Sequence, residues 1–198
     1  MRPVLGLRTA LALLAAVCSQ AASAHAEHGQ AAGLLSGLMH PVSGLDHVLA
    51  MVAVGLWGAQ LGLPAIWVLP LAFPLVMALG GMLGFLGLPL PGVEVGIAAS
   101  ALVLGTAVAF ELRPKLVIAA LVVGCFAIFH GHAHGTELPQ GQSALPYSLG
   151  FVIATGCLHA LGIVIGTVHS RPWGRQMLRV AGAAVAAGGA FFMVRALA

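Results

Sequence analysis

The chain of 198 residues is 60% hydrophobic and only 7% charged, with a mean hydropathy of +1.05. A soluble domain carries about 25% charged residues, so a water-soluble globular fold is excluded, and the few, dispersed basic residues behind the net charge of +3 exclude a nucleic-acid surface. Nine histidines against five carboxylates is the one lopsided polar count; imidazole is mostly neutral at pH 7, so these side chains tolerate a site near a bilayer and still bind a cation.

Residues 1–24 read as a secretory signal peptide. Arg2 and Arg8 supply the basic start, ALALLAAV (10–17) the short apolar core, and Ala22-Ser23-Ala24 the small-residue cleavage site. An uncleaved first helix stays open as the rival reading. A lipoprotein site at Cys18 fits less well, because Val17 stands where a small residue is expected. Cleavage leaves residues 25–198 as a single membrane domain. Its tip, HAEH, carries His25, Glu27 and His28, either as a metal-gathering tail or as a terminus with chance histidines.

A spanning helix needs about 20 mainly apolar residues. Six stretches qualify: 44–62, 66–86, 93–110, 114–130, 146–168 and 177–196. The expected fold is therefore an all-α membrane protein, a six-helix transmembrane bundle after the signal peptide. The first span opens on HPVSGLDH (40–47). His40 and His47 are seven apart and share a face if the helix is continuous, with Asp46 about 100° away. Pro41 and Gly44 suggest a start or break, which would bring Asp46 around. Asp46 either caps the helix or joins the histidines at a metal, since a carboxylate at the mouth of a span is costly unless paired or ligated.

The second span holds Pro70 and Pro74, which should kink it or free a carbonyl. The glycines of LGGMLGFLG (79–87) and AGAAVAAGGA (181–190) suit close helix packing, with a flexible gate as the alternative. Glu94 opens the third span, where it either complements the helix dipole or belongs to a site. The fourth span leads into FHGHAHGTE (129–137). If the helix continues past His130, then His130, His134 and Glu137 fall at i, i+4 and i+7 on one stripe, and His132 points away. Two imidazoles and a carboxylate on a stripe suit a divalent transition metal. Gly131 and Gly135 could instead loosen the turn and let backbone approach the ion. In the fifth span His159 stands alone within the membrane, a functional candidate by default. His169 reads as an interface residue, and Cys125 and Cys157 as small core residues.

Orientation follows from basic residues. An exported N-terminus puts Arg113, Lys115, Arg171, Arg175 and Arg179 inside and only Arg195 outside, as the positive-inside rule asks. Both ends of the mature chain are then periplasmic. His40, Asp46, His47, Glu94, His130, His134 and Glu137 all fall in the outer half, with His159 deeper.

HPVSGLDHVLAMVAVGLW (40–57) and FHGHAHGTE resemble the two signatures of the HupE/UreJ family of nickel/cobalt permeases. LPLAFPLVMALGG (69–81), the span led by Glu94 and the LHALG of the fifth span are similar as well, so the resemblance covers most of the chain after residue 24. It implies uptake of Ni²⁺ or Co²⁺ across the inner membrane to supply metalloenzymes such as hydrogenase or urease. The metal is cargo, and no permanently bound cofactor is expected. The partners are then a divalent ion and the bilayer, with a homo-oligomer left open. The residues alone reach only a membrane protein for a divalent metal. They also leave a membrane di-iron oxidoreductase, or a haem electron carrier with His47 and His159 as axial ligands, as rivals. No P-loop and no HExxH occurs in the sequence, which argues against ATP hydrolysis by this chain and against a metalloprotease.

A first expected result follows from the histidines. Protons compete with metal for imidazole, so uptake should fall as external pH drops below about 6, near the imidazole pKa. Uptake unchanged down to about pH 5 would count against imidazole capture.

Overall fold

A computed structural model describes residues 32–137 and 144–198. The expected signal peptide and the HAEH tip lie outside the described residues. Seven α-helices follow one another: α1 (Ala32–Ser43), α2 (Leu45–Leu61), α3 (Ala65–Phe85), α4 (Val93–Ala109), α5 (Leu116–Thr136), α6 (Ala144–Gly166) and α7 (Pro172–Leu197), with a 3-10 turn at Thr167–Ser170 before α7. No strand occurs among the described residues.

Each expected span has its helix, with three corrections. An additional helix, α1, precedes the first span and meets α2 at Gly44 with a bend of 82°. Residues 40 and 47 therefore do not lie on one continuous helix. The fourth span does not end near His130, because α5 runs on to Thr136. The last helix starts at Pro172, five residues earlier than expected; proline suits a first helical position, where its missing N–H has no partner to lose. Among the described residues four helical stretches are long and apolar enough to cross a membrane, and the bent α1–α2 pair makes a fifth if it counts as one span. Helix α4, at 17 residues, is shorter.

The packing is that of a bundle whose solvent is lipid. Along α3, Leu69, Phe73 and Met77 are buried while Trp67, Leu71, Leu75 and Leu79 are exposed. In the same molecule His130, His132, His134 and His159 are buried. Water would not select an outer surface of leucines around a polar interior; a bilayer does, because buried polar groups there must face protein. Cys125 and Cys157, expected in the core, are exposed on this outer surface instead.

Three helix pairs make the closest seams: α3 with α5, α4 with α7, and α2 with α6. Each seam is closed by glycine, as close approach of membrane helices requires. A methyl group on Gly131 would strike the carbonyl of Met77, on Gly105 the backbone of Ala186, and on Gly162 the carbonyl of Val52. The glycines of FHGHAHGTE thus admit the backbone of α3, not an ion, since Gly135 likewise abuts the carbonyl of Gly81.

The two ends of the bundle differ. At one end Trp57 Nε1 donates to the carbonyl of Leu112 (2.9 Å) and Gln60 Nε2 to that of Val108 (3.1 Å), tying α2 to the last turn of α4 and the segment after it. At this end Arg113 Nη2 donates to His169 Nε2 (3.3 Å), and Glu111 Oε2 lies 3.5 Å from the same nitrogen. The turns that carry Arg113, Lys115 and Arg171 are therefore together. The opposite end gathers the start of α2, the start of α4 and the end of α5.

Candidate metal site

Unbroken helix through Thr136 sets the first half of the site. His130 and His134 lie one turn apart on the inner face of α5, and Glu137 caps its end. His132 faces elsewhere, with its Nε2 donating to the carbonyl of Leu88 (2.7 Å), so that it ties α5 to the segment after α3.

The break between α1 and α2 sets the second half. Gly44 is extended (φ −98°, ψ 112°), and a Cβ there would stand 2.9 Å from Asp46 Oδ1 and 3.1 Å from His47 Nδ1. Asp46 Oδ1 accepts both the backbone N–H of His47 (2.8 Å) and its ring Nδ1–H (2.9 Å). Asp46 is thus neither the N-cap, which is Gly44, nor a member of the groups able to hold a metal: its oxygen supports the first turn and orients the ring of His47. With its proton on Nδ1, His47 keeps the lone pair of Nε2, which is buried and has no hydrogen-bond partner.

The bend turns His40 back toward α5. Its Nε2 donates to Glu137 Oε2 at 3.1 Å, and its ring meets that of His134 at 4.8 Å between centroids. The rings of His47 and His130, and of His47 and His134, are each 4.7 Å apart. Two groups able to hold a metal result, each with ligand atoms within 4.8 Å of one another: His47, His130 and His134; and His40, His134 and Glu137. A hollow of about 450 Å³ opens onto them, lined in part by Asp46 and Glu94. A water occupies about 30 Å³ of liquid volume, so the hollow has room for a hydrated ion. Glu94 touches neither ligand group and borders the hollow, together with a second one shared with Asp46 and Arg195.

Ser100 is a residue that sequence reading missed. Its Oγ donates to the carbonyl of Ile97 (2.6 Å), so its contact with His130 Nε2 (2.8 Å) uses a hydroxyl lone pair and takes the ring N–H as donor. His130 Nδ1 is then the free lone pair, buried and without a partner. A single serine in an apolar helix gives no sequence signal of this kind. Removing a group that orients a ligand costs about 10- to 100-fold in metal affinity. Ser100→Ala is expected to weaken cobalt binding by about tenfold, the low end for a neutral partner, and Ser100→Thr to restore it. Titration of the purified protein followed by visible absorption checks this, and unchanged affinity in Ser100→Ala would remove the serine from the site.

His159 does not join either group. It is buried on α6 with neither ring nitrogen hydrogen-bonded, beside the carbonyl of Pro70. Pro74 lacks the N–H that would otherwise reach this carbonyl along α3. Phe73, also missed from sequence, stands between: its ring is edge-on to both His130 and His159, at 5.4 Å from each. An aromatic ring therefore separates His159 from the outer histidines. Tyr147 adds a buried hydroxyl without a partner, on a ring 5.8 Å from that of His40.

Comparison with known proteins gives a consistent result. The family profile of the HupE / UreJ protein matches residues 11–192. Protein HupE of Rhizobium leguminosarum bv. viciae is similar, 51% identical over 172 residues that cover 86% of this chain and 90% of that protein. No solved structure matches.

Proposed function

Since the chain belongs to the HupE/UreJ family, we propose that it is a secondary permease for Ni²⁺ or Co²⁺, taking the ion up across the inner membrane to supply metalloenzymes. The observation that carries this reading is the convergence of His40, His47, His130, His134 and Glu137, from α1, α2 and α5, at one end of an apolar bundle. Imidazole nitrogens with one carboxylate suit borderline divalent ions of this kind. The reading assigns six spans, with α1 and α2 as one broken span and α4 as a short one. It places the histidine end outside and the end with Arg113, Lys115 and Arg171 inside, in keeping with the positive-inside rule.

In this scheme the hollow admits a hydrated ion and the imidazoles replace part of its water shell. Glu94 and Asp46 supply negative potential at the mouth. Binding has to be weak enough for release, and a shift of Phe73 would open the way to His159 and the inner half. The test is uptake of radioactive nickel and cobalt by cells expressing the wild-type chain or His130→Ala at matched membrane levels. The expected result is uptake by wild type and background uptake by the variant. Wild-type uptake equal to that of empty cells for both metals would overturn the proposal.

A further inference from the structure

The two ligand groups share one residue, His134, and that residue differs from its neighbours. Four other histidines at this end have a ring nitrogen held: His40 by Glu137, His47 by Asp46, His130 by Ser100, and His132 by the Leu88 carbonyl. Both nitrogens of His134 are buried without a hydrogen-bond partner, and Glu137 Oε2 is 4.0 Å from its Nδ1. No hydrogen bond sets the direction of its ring, whereas each of the others has one.

Exposure orders the groups along a path. The side chains of Glu137 and His40 are 53% and 27% exposed, those of His47 and His134 13% and 8%, and His130 is fully buried. We propose that the groups are successive stations for one ion, an outer station of His40, Glu137 and His134 and an inner station of His47, His130 and His134. The ion passes between them by exchanging His40 and Glu137 for His47 and His130 while His134 stays bound. This deepens the permease reading and rests on it for the direction of travel.

Retaining one ligand has a physical purpose. An ion that released all its outer ligands before meeting the inner ones would cross low-dielectric protein unligated, which is costly for a charge. A shared imidazole keeps the ion coordinated throughout. It also forbids double loading, because a neutral imidazole has one lone pair. The stations are thus used in turn.

The test uses Co²⁺ alone as probe, with the full chain purified in detergent. The binding of wild type minus that of His134→Ala should be one ion per chain, a difference that discounts any held by the N-terminal histidines. The double variant His40→Ala/Glu137→Gln should still bind one ion through three imidazoles, with a visible spectrum like that of wild type, and take up metal with a KM raised about tenfold or more. The double variant His47→Gln/His130→Gln, chosen to keep polar volume in the buried group, should bind one ion with a spectrum altered by the carboxylate and take up none. Size-exclusion profiles like that of wild type certify folding, with His47→Asn/His130→Asn as a second pair. Loss of all cobalt binding in either folded double variant would show a single station and overturn the proposal. A His134→Ala chain with wild-type stoichiometry would overturn it too. Binding that splits as expected in a protein that takes up no metal would leave the stations standing and sink the permease reading instead.

Discussion

His134→Ala is expected to abolish metal uptake and to lower equilibrium cobalt affinity by more than about 100-fold, beyond the effect of losing a supporting residue. The reason is position. Loss of His40 or His47 strips one ligand from one group, but His134 belongs to both. The ring is buried and lies 4.1 Å from that of Phe151, so alanine also leaves a cavity, and a drop in thermal stability is expected alongside. His134→Asn separates the two effects, since it keeps a polar side chain of intermediate size while losing the imidazole. A thermal midpoint closer to wild type with uptake still at background would assign the loss to coordination. Uptake within twofold of wild type in His134→Asn would remove His134 from the site.

The sequence made the chemistry legible because spacing along a helix is a local property. His130, His134 and Glu137 could be placed on one stripe once α5 was assumed to continue, and α5 does continue. The lipid-facing composition likewise announced the spans before any fold was known. What could not be read was the partnership of groups distant in sequence. His40 meets Glu137 across 97 residues and Ser100 meets His130 across 30. Nothing near Ser100 or Phe73 marks either residue, because their importance lies in what packs against them. The bend at Gly44 was only half legible. Pro41 and Gly44 signalled a break, but not that a full helix precedes it or that the turn of 82° returns His40 to the cluster. The separation of His159 from the cluster was hidden for the same reason: its place in mid-helix was clear, and the ring of Phe73 between it and His130 was not.

Asp46→Asn tests whether the carboxylate serves the metal or only the helix. Asp46 stands in the first turn of α2, after the N-cap Gly44, and the carbonyl oxygen of asparagine can still accept the His47 backbone N–H. If support of the helix start were the whole role, the variant would lose only the charge–dipole contribution of about 0.3–1 kcal/mol and keep its cobalt affinity. The geometry argues otherwise, because the same Oδ1 also holds the Nδ1–H of His47. A neutral amide holds that proton less firmly and can present its NH₂ group instead, which favours the tautomer with the proton on Nε2. His47 would then lose the lone pair aimed at the inner group. The charge change acts in the same direction. Three neutral imidazoles offer a divalent ion no compensating charge, and Asp46 is the carboxylate bonded to one of them. Arg195 lines the neighbouring hollow with Asp46 and Glu94, so loss of one carboxylate also leaves the local potential more positive. Cobalt affinity is therefore expected to fall about 10- to 100-fold, with uptake falling in step and the thermal midpoint nearly unchanged. Binding and uptake equal to wild type in Asp46→Asn would reduce Asp46 to a support of the first helical turn, and the orientation of His47 would then need another source.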